Sequence, residues 1–281
     1  MNVIEQIAEL REEIKEHKRN GRTVGFVPTM GYLHDGHLSL IKKARAENDI
    51  VVVSIFVNPL QFGPSEDYDS YPRDLRHDTS LAREAGADYL FAPSVQEMYA
   101  AAPSVSATVK DRTDVLCGKS RPGHFDGVAT VVTKLFNIVL PERAYFGQKD
   151  AQQVAVVDGL IKDFNFPIKL VPVETVREDD GLAKSSRNIF LTPEERQEAT
   201  ALYKSLQAAR EAIGNGQKNP ETIIELMKTI IDTQTSGKID YIEIYSYPEL
   251  KPVDTLKGRI IIALAVRFSG ARLIDNMIFN A

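Results

Sequence analysis

The chain has 281 residues, 43% hydrophobic and 26% charged, ordinary values for a folded globular protein that exclude global disorder and fibrous repeats. That length suits one large or two moderate domains. Its 34 basic and 39 acidic side chains leave a formal charge of −5, which argues against coating nucleic acid through a general field but leaves room for a local anion site.

Residues 3–18 place Ile4, Ile7, Ala8 and Ile14 close to one helical stripe with a charged outer face, and Asn20-Gly21 stops that helix. The same stretch lacks the continuous apolar run of a secretory signal, and the lone Cys117 cannot form an internal disulfide, so a cytoplasmic protein is expected. An apolar run at 23–27 precedes a loop at 28–37, a helix at 38–47 and a second apolar run at 50–57. Strand, loop, helix, strand predicts parallel pairing through a right-handed crossover. The alternation continues: helix 75–85, strand 87–91, helix 127–139, strand 144–146, a helix entered through 147–150 and running to about 164, and strand 168–173. Residues 1–176 are therefore expected to form a doubly wound, parallel-sheet α/β domain of Rossmann-like type, with its ligands at the carboxyl ends of the strands.

After about residue 190 the pattern changes. Thr192-Pro193-Glu194-Glu195 supplies an N-cap, a proline at the first helical position and acids in the first turn, ahead of a stripe of Leu202, Leu206, Ala209 and Ile213. A helix at 221–231 then leads to strands at 241–245 and 260–268, with 271–278 as their partner. Helices followed by strands predict a smaller α+β domain over 177–281. No run approaches 18 consecutive apolar residues, so neither a membrane span nor a membrane partner is expected.

Two of the five histidines fall in His34-Asp35-Gly36-His37, where the first loop meets a helix. From the chain's own counts, chance gives such a pattern roughly 0.004 times. A helix N-terminus offers unpaired N–H groups and partial positive charge, and imidazoles there can steady charge developing on phosphorus. Too few His or Cys residues lie nearby for zinc. A second polar cluster, Lys184-Ser185-Ser186-Arg187, sits in a glycine-containing loop able to fold over a triphosphate or simply to link two domains. Gly147-Gln148-Lys149-Asp150 opens a helix after a strand, where lysine can meet phosphate and aspartate ribose. Asn58 and Gln61, beside apolar Leu60 and Phe62, suit a small branched ligand bearing a hydroxyl or carboxylate, although Asn-Pro is also a common turn opener. The positive stretch at 110–124, with Arg121-Pro122-Gly123-His124, reads nearly as well as a solvated loop, and Cys117 within it as an incidental thiol.

Taken in order, Pro28-Thr29-Met30-Gly31-Tyr32-Leu33-His34-Asp35-Gly36-His37, Val57-Asn58-Pro59-Leu60-Gln61-Phe62, Arg121-Pro122-Gly123-His124-Phe125-Asp126-Gly127, Tyr145-Phe146-Gly147-Gln148-Lys149-Asp150 and Asp180-Gly181-Leu182-Ala183-Lys184-Ser185-Ser186-Arg187-Asn188 resemble the pantoate–β-alanine ligases of the cytidylyltransferase-like superfamily. The likeness extends to Arg272-Leu273-Ile274-Asp275-Asn276. It implies ATP-dependent amide formation through a pantoyl adenylate, with ATP and Mg2+ required and a homodimer as the assembly. By motif position, Met30, Gly31, Tyr32, Leu33, His34, Asp35, Gly36 and His37 would form the ATP loop, with His37 the family's proton donor. Gly147, Gln148, Lys149, Asp150 and Val176 would complete the nucleotide site, and Lys184, Ser185, Ser186 and Arg187 would close over the phosphates. His34, His37, Lys149 and Arg187 would act in the chemistry. Gln61, Gln153 and Asn58 would hold pantoate, Gln61 also bordering β-alanine. No motif fixes protein ligands for the metal. The residues alone also admit a nucleotidyltransferase acting on a phosphorylated acceptor, or a nucleotide-binding module without turnover; the Asn58/Gln61 pair favours a carboxylate over a phosphate monoester.

Overall fold

A computed structural model describes every residue except Ser65 and Asp67. In chain order it contains β1 (Asn2–Ile4), α1 (Ile7–Arg19), β2 (Val24–Thr29), α2 (Asp35–Glu47), β3 (Ile50–Ile55), α3 (Leu75–Glu84), β4 (Tyr89–Phe91), α4 (Val95–Met98), α5 (Leu116–Ser120), α6 (His124–Val139), β5 (Arg143–Gly147), α7 (Ala151–Asp163), β6 (Lys169–Val173), α8 (Pro193–Glu198), α9 (Thr200–Gly214), α10 (Pro220–Gln234), β7 (Lys238–Ser246), β8 (Arg259–Arg267) and β9 (Arg272–Asn280). Single 3-10 turns occupy Pro59–Gln61, Gln148–Asp150 and Ser186–Phe190.

Six strands pair in the order β1-β4-β3-β2-β5-β6, all parallel. The run Ile-Val-Val-Val in β3 shows why both faces must be covered. Ile50 and Val52 pack with Leu10 and Ile14 of α1 and with α6 and α7, whereas Val51 and Val53 pack with Leu40 and Ile41 of α2 and Ala82 of α3. This is the doubly wound sheet expected from the alternation of elements.

Beyond Val173 the chain leaves that sheet and builds an antiparallel meander, β7-β8-β9. One face of it carries Ile242, Ile262 and Leu264 against Leu202 and Leu206 of α9 and Met227 of α10. The other face sets Ile261 and Ala263 against Leu116 and against Ala151 and Ala155 of α7, joining the two sheets through an apolar contact.

Several element boundaries differ from the sequence expectation, which also has no counterpart for the short helices α4 and α5. Val3 and Ile4, expected within the first helix, pair as an edge strand with Leu90 and Phe91, and the helix begins at Ile7, whose N–H is taken by Glu97 Oε1 at 2.8 Å. α2 starts at Asp35 rather than 38, because His34 and His37 cap it reciprocally. The stripe through Leu202 and Ile213 is helical, but α8 ends at Glu198 and α9 begins at Thr200, the first capped by a Thr192–Glu195 box. Among the described residues no helix is long and apolar enough to cross a membrane.

Candidate active site

The predicted residues gather where β2, β3, β5 and β6 end. β2 and β5 are neighbours in the sheet, but the chain leaves β2 toward β3 and β5 toward β6, opening a crevice at that switch point.

The loop after β2 is held from beneath. Gly31 takes φ +88, a conformation most side chains resist, and an added Cβ would sit 2.9 Å from Asp78 Oδ2. The Asp78 carboxylate, 1% exposed on α3, accepts the N–H of Tyr32 at 2.9 Å and of Leu33 at 2.6 Å. The chain then enters α2 through its histidines. His34 Nδ1 accepts the N–H of Gly36 at 3.1 Å, His37 Nδ1 accepts the N–H of His34 at 3.3 Å, and the two rings lie 4.1 Å apart. Because Nδ1 is the acceptor in each neutral ring, the remaining proton belongs to Nε2.

Burial, and secondarily the Lys149 ammonium, pushes the His34 imidazole down to about 4. Burial, then His34 and Lys149, pushes His37 down to about 3. Both rings are neutral donors at pH 7.

A cavity of about 230 Å³ is lined by Met30, His34, Gly36 and His37, by Gly147, Lys149 and Asp150, by Val176, Lys184, Ser185, Ser186 and Arg187, and by the amides Gln61 and Gln153. Its apolar wall includes Phe56, Phe62, Tyr71 and Val128. Five chain segments expected from sequence thus meet in one place. Six expected residues are not on its wall. Gly31, Tyr32 and Leu33 shape the loop behind it, and Asp35 is exposed and paired with Lys184. Gln148 turns its carbonyl toward Asn276. Asn58, 1% exposed, lies behind Gln61: its Nδ2 donates to Gln61 Oε1 at 3.3 Å and Gly127 O at 3.1 Å, while its Oδ1 accepts from Tyr99 OH at 2.9 Å. Both polar side-chain atoms of Asn58 thus have partners within the protein, and one of those partners is Gln61. A side chain at Gly127 would meet Leu60 O at 2.2 Å, which is why α6 can lie so close to this turn.

The 110–124 stretch reads nearly as well as a solvated loop in the sequence, but its Arg121 and His124 are half-buried. Arg121 forks onto Glu66, with Nε–Oε1 and Nη2–Oε2 distances of 2.6 Å, and its Nη1 meets His124 Nε2 at 3.0 Å. His124 Nδ1 donates to Gln61 O at 2.7 Å. Burial, and next the Arg121 charge, pushes His124 down to about 4. Neither Glu66 nor Asp78 carries a local motif; only their partners distant in sequence reveal them. Cys117 lies in an adjoining cavity of about 620 Å³, 3.3 Å from the Tyr241 hydroxyl and 3.4 Å from Arg272 Nη1.

A model of the pantoate-beta-alanine ligase family matches residues 2–278. The chain is 64% identical over 277 residues to a pantothenate synthetase of Geobacillus sp. (strain WCH70), covering 99% of this chain and 98% of that one. A crystal structure of pantothenate synthetase from Thermus thermophilus superposes with a TM-score of 0.93 at 47% identity, covering 99% of each chain. The pantoate-beta-alanine ligase of Francisella tularensis, solved in complex with beta-gamma ATP and beta-alanine, gives a TM-score of 0.81 at 36% identity over 99% of this chain and 97% of that one.

Proposed function

The chain belongs to the pantoate–β-alanine ligase family, and from that premise we propose how its residues divide the work. The enzyme joins pantoate to β-alanine using ATP. A pantoate carboxylate oxygen attacks the α-phosphorus, the bond to the bridging oxygen breaks, and pyrophosphate leaves. The β-alanine amine then attacks the acyl carbon of the adenylate, loses a proton, and AMP departs with the oxygen that had bridged the acyl carbon to phosphorus.

The observation that carries the assignment of residues is the single cavity that both the phosphate-type groups and the amides line. Lys149, Lys184 and Arg187 neutralise the triphosphate, Asp150 meets the ribose and Val176 the adenine. Gln61, aimed by Asn58, and Gln153 hold pantoate, and Gln61 also borders β-alanine. His34 and His37, neutral and protonated at Nε2, donate hydrogen bonds to phosphate oxygens as charge builds on phosphorus. A carboxylate nucleophile carries no proton to remove, so hydrogen-bond donation suits these rings better than proton transfer.

Mg2+ enters this reading on the nucleotide. Among the described residues no group of three or more His, Cys, Asp or Glu side chains forms a metal cage, and a triphosphate with water supplies the oxygen donors that magnesium prefers. Residues 177–281 act as a lid carrying Lys184 and Arg187; identical small-angle scattering with and without an adenylate analogue would count against closure. The family likeness and the charge of −5 support a cytoplasmic homodimer that handles small molecules and no nucleic acid. Light scattering tests the dimer.

The decisive assay follows pyrophosphate and AMP. Pantoate alone should release pyrophosphate, and AMP should appear only when β-alanine is added. Absence of both products in both mixtures would overturn the reading.

A further inference from the structure

Asp275 and Asn276 are neighbours on β9, and the period of two in a strand sends their side chains to opposite faces of the C-terminal sheet. Both are buried, at 2% and 8% exposure. Asn276 looks toward the first sheet, where its Nδ2 donates bonds of 2.9 Å to the carbonyls of both Gln148 and Lys149. Asp275 looks the other way and takes both arms of Arg177, Nη1 at 2.6 Å and Nη2 at 2.9 Å. Arg177 also donates to Gly181 O at 3.0 Å, lies 3.8 Å above the Tyr203 ring of α9, and bridges to Ala183, immediately before Lys184.

A single strand therefore grips two segments that are distant in sequence. One is the 148–150 turn, which carries Lys149. The other is the root of the 177–188 loop, which carries Lys184 and Arg187. Apolar side chains of similar volume would pack the two sheets together equally well. A buried amide with both hydrogens spent on successive carbonyls adds backbone direction, which packing alone does not supply.

We propose that Asp275 and Asn276 are positioning residues that set Lys149, Lys184 and Arg187 in one geometry around the triphosphate. This rests on the ATP placement proposed above. Asn276 fixes the turn from which the Lys149 side chain departs, and Asp275 fixes the loop that brings the other two cations. Because a displacement of about 1 Å at a reacting centre can lower a rate as much as a hundredfold, two bonds to a turn are enough to matter.

The test separates the two half-reactions. Asn276→Leu removes both donors while keeping bulk; it should raise the KM for ATP and slow pantoate-dependent pyrophosphate release, together by about tenfold. Aminolysis of supplied pantoyl adenylate by β-alanine should stay within about twofold. Asn276→Ser, which retains one donor hydrogen, should fall between Leu and wild type, and it carries the same comparison if the leucine variant does not fold. Asp275→Asn should also slow adenylation selectively. Folded variants with unchanged adenylation would overturn the proposal, as would equal losses in both half-reactions, the signature of a merely structural role. Lys149→Ala is run in parallel: unchanged adenylation there sinks the ATP placement itself, whereas a loss there beside an unaffected Asn276→Leu sinks only the strand's role.

Discussion

Lys184 Nζ stands 3.1 Å from Asp35 Oδ2, an ion pair that joins the loop after β6 to the first turn of α2. This pairing, with further help from Glu178, raises the Lys184 ammonium above its ordinary range. In the ATP placement proposed above Lys184 meets a phosphate oxygen, and a carboxylate already paired with that ammonium would compete with it. Asp35→Asn should lower the KM for ATP by up to about fivefold at low ionic strength, since an ion pair this exposed is worth at most about 1 kcal/mol. The difference should disappear near 0.5 M salt. A higher KM in the variant would show that Asp35 helps to hold the nucleotide.

For the histidines, the expected loss is larger. His37→Ala should slow adenylation by about 10²–10³-fold, the scale for removing one transition-state donor. His37→Gln, which restores an N–H near the position of Nε2, should recover part of it. With values near 4 and 3, neither ring titrates close to 6.5 in the free enzyme. The pH profile of kcat/KM for adenylation should accordingly lack a limb from either histidine between pH 5.5 and 7.

Stability should respond to acid in the opposite sense from a salt-bridged histidine. His34, His37 and His124 all have folded-state values pushed below the ordinary 6.5, so the unfolded chain binds more protons between about pH 4 and 6.5. Stability is therefore intact above 6.5 and lost as pH falls toward the folded values, by about 2 kcal/mol per ring at pH 5. Replacing His124 with Gln should reduce the drop in Tm between pH 7 and 5, whatever it does to Tm at pH 7. An unchanged drop would mean that the ring does not resist protonation.

The Glu66–Arg121–His124 chain ends on the carbonyl of Gln61, not on a phosphate-type group. Arg121 in turn holds the Glu66 carboxyl below its usual range. Glu66→Gln should raise the KM for pantoate several-fold, about 1 kcal/mol, with little change in that for ATP. Equal shifts in both would place the chain's influence on the whole cleft.

Legibility in the sequence follows distance along the chain. His34 and His37 could be read because their cap, their helix and their chemistry lie within four residues. β3 could be read because a strand covered on both faces must be apolar throughout. β1 could not: Val3 and Ile4 fit a helical stripe as well as a strand, and the pairing that decides lies at Leu90 and Phe91. Asp78 and Glu66 look like ordinary surface acids until the partners at Leu33 and Arg121 are seen. The bonds from Asn58 to Gln61 and to the Gly127 carbonyl could not be read either, because they depend on α6 pressing against the turn at Gly127.

The order of the first sheet also bears on how the chain could be divided. β1 to β4 are all contributed by residues before 92, β5 and β6 by residues after 142, and between β2 and β5 only Gly25–Arg143 and Phe26–Ala144 stand in register. A single cut in the exposed stretch at 100–106 would leave one fragment with both histidines and Gln61 and the other with Lys149, Lys184 and Arg187. On the ATP placement proposed above, neither fragment would hold the triphosphate by itself. In such a split enzyme the nucleotide would lie across the seam and add its binding free energy to fragment complementation, making ATP a ligand that reassembles its own catalyst.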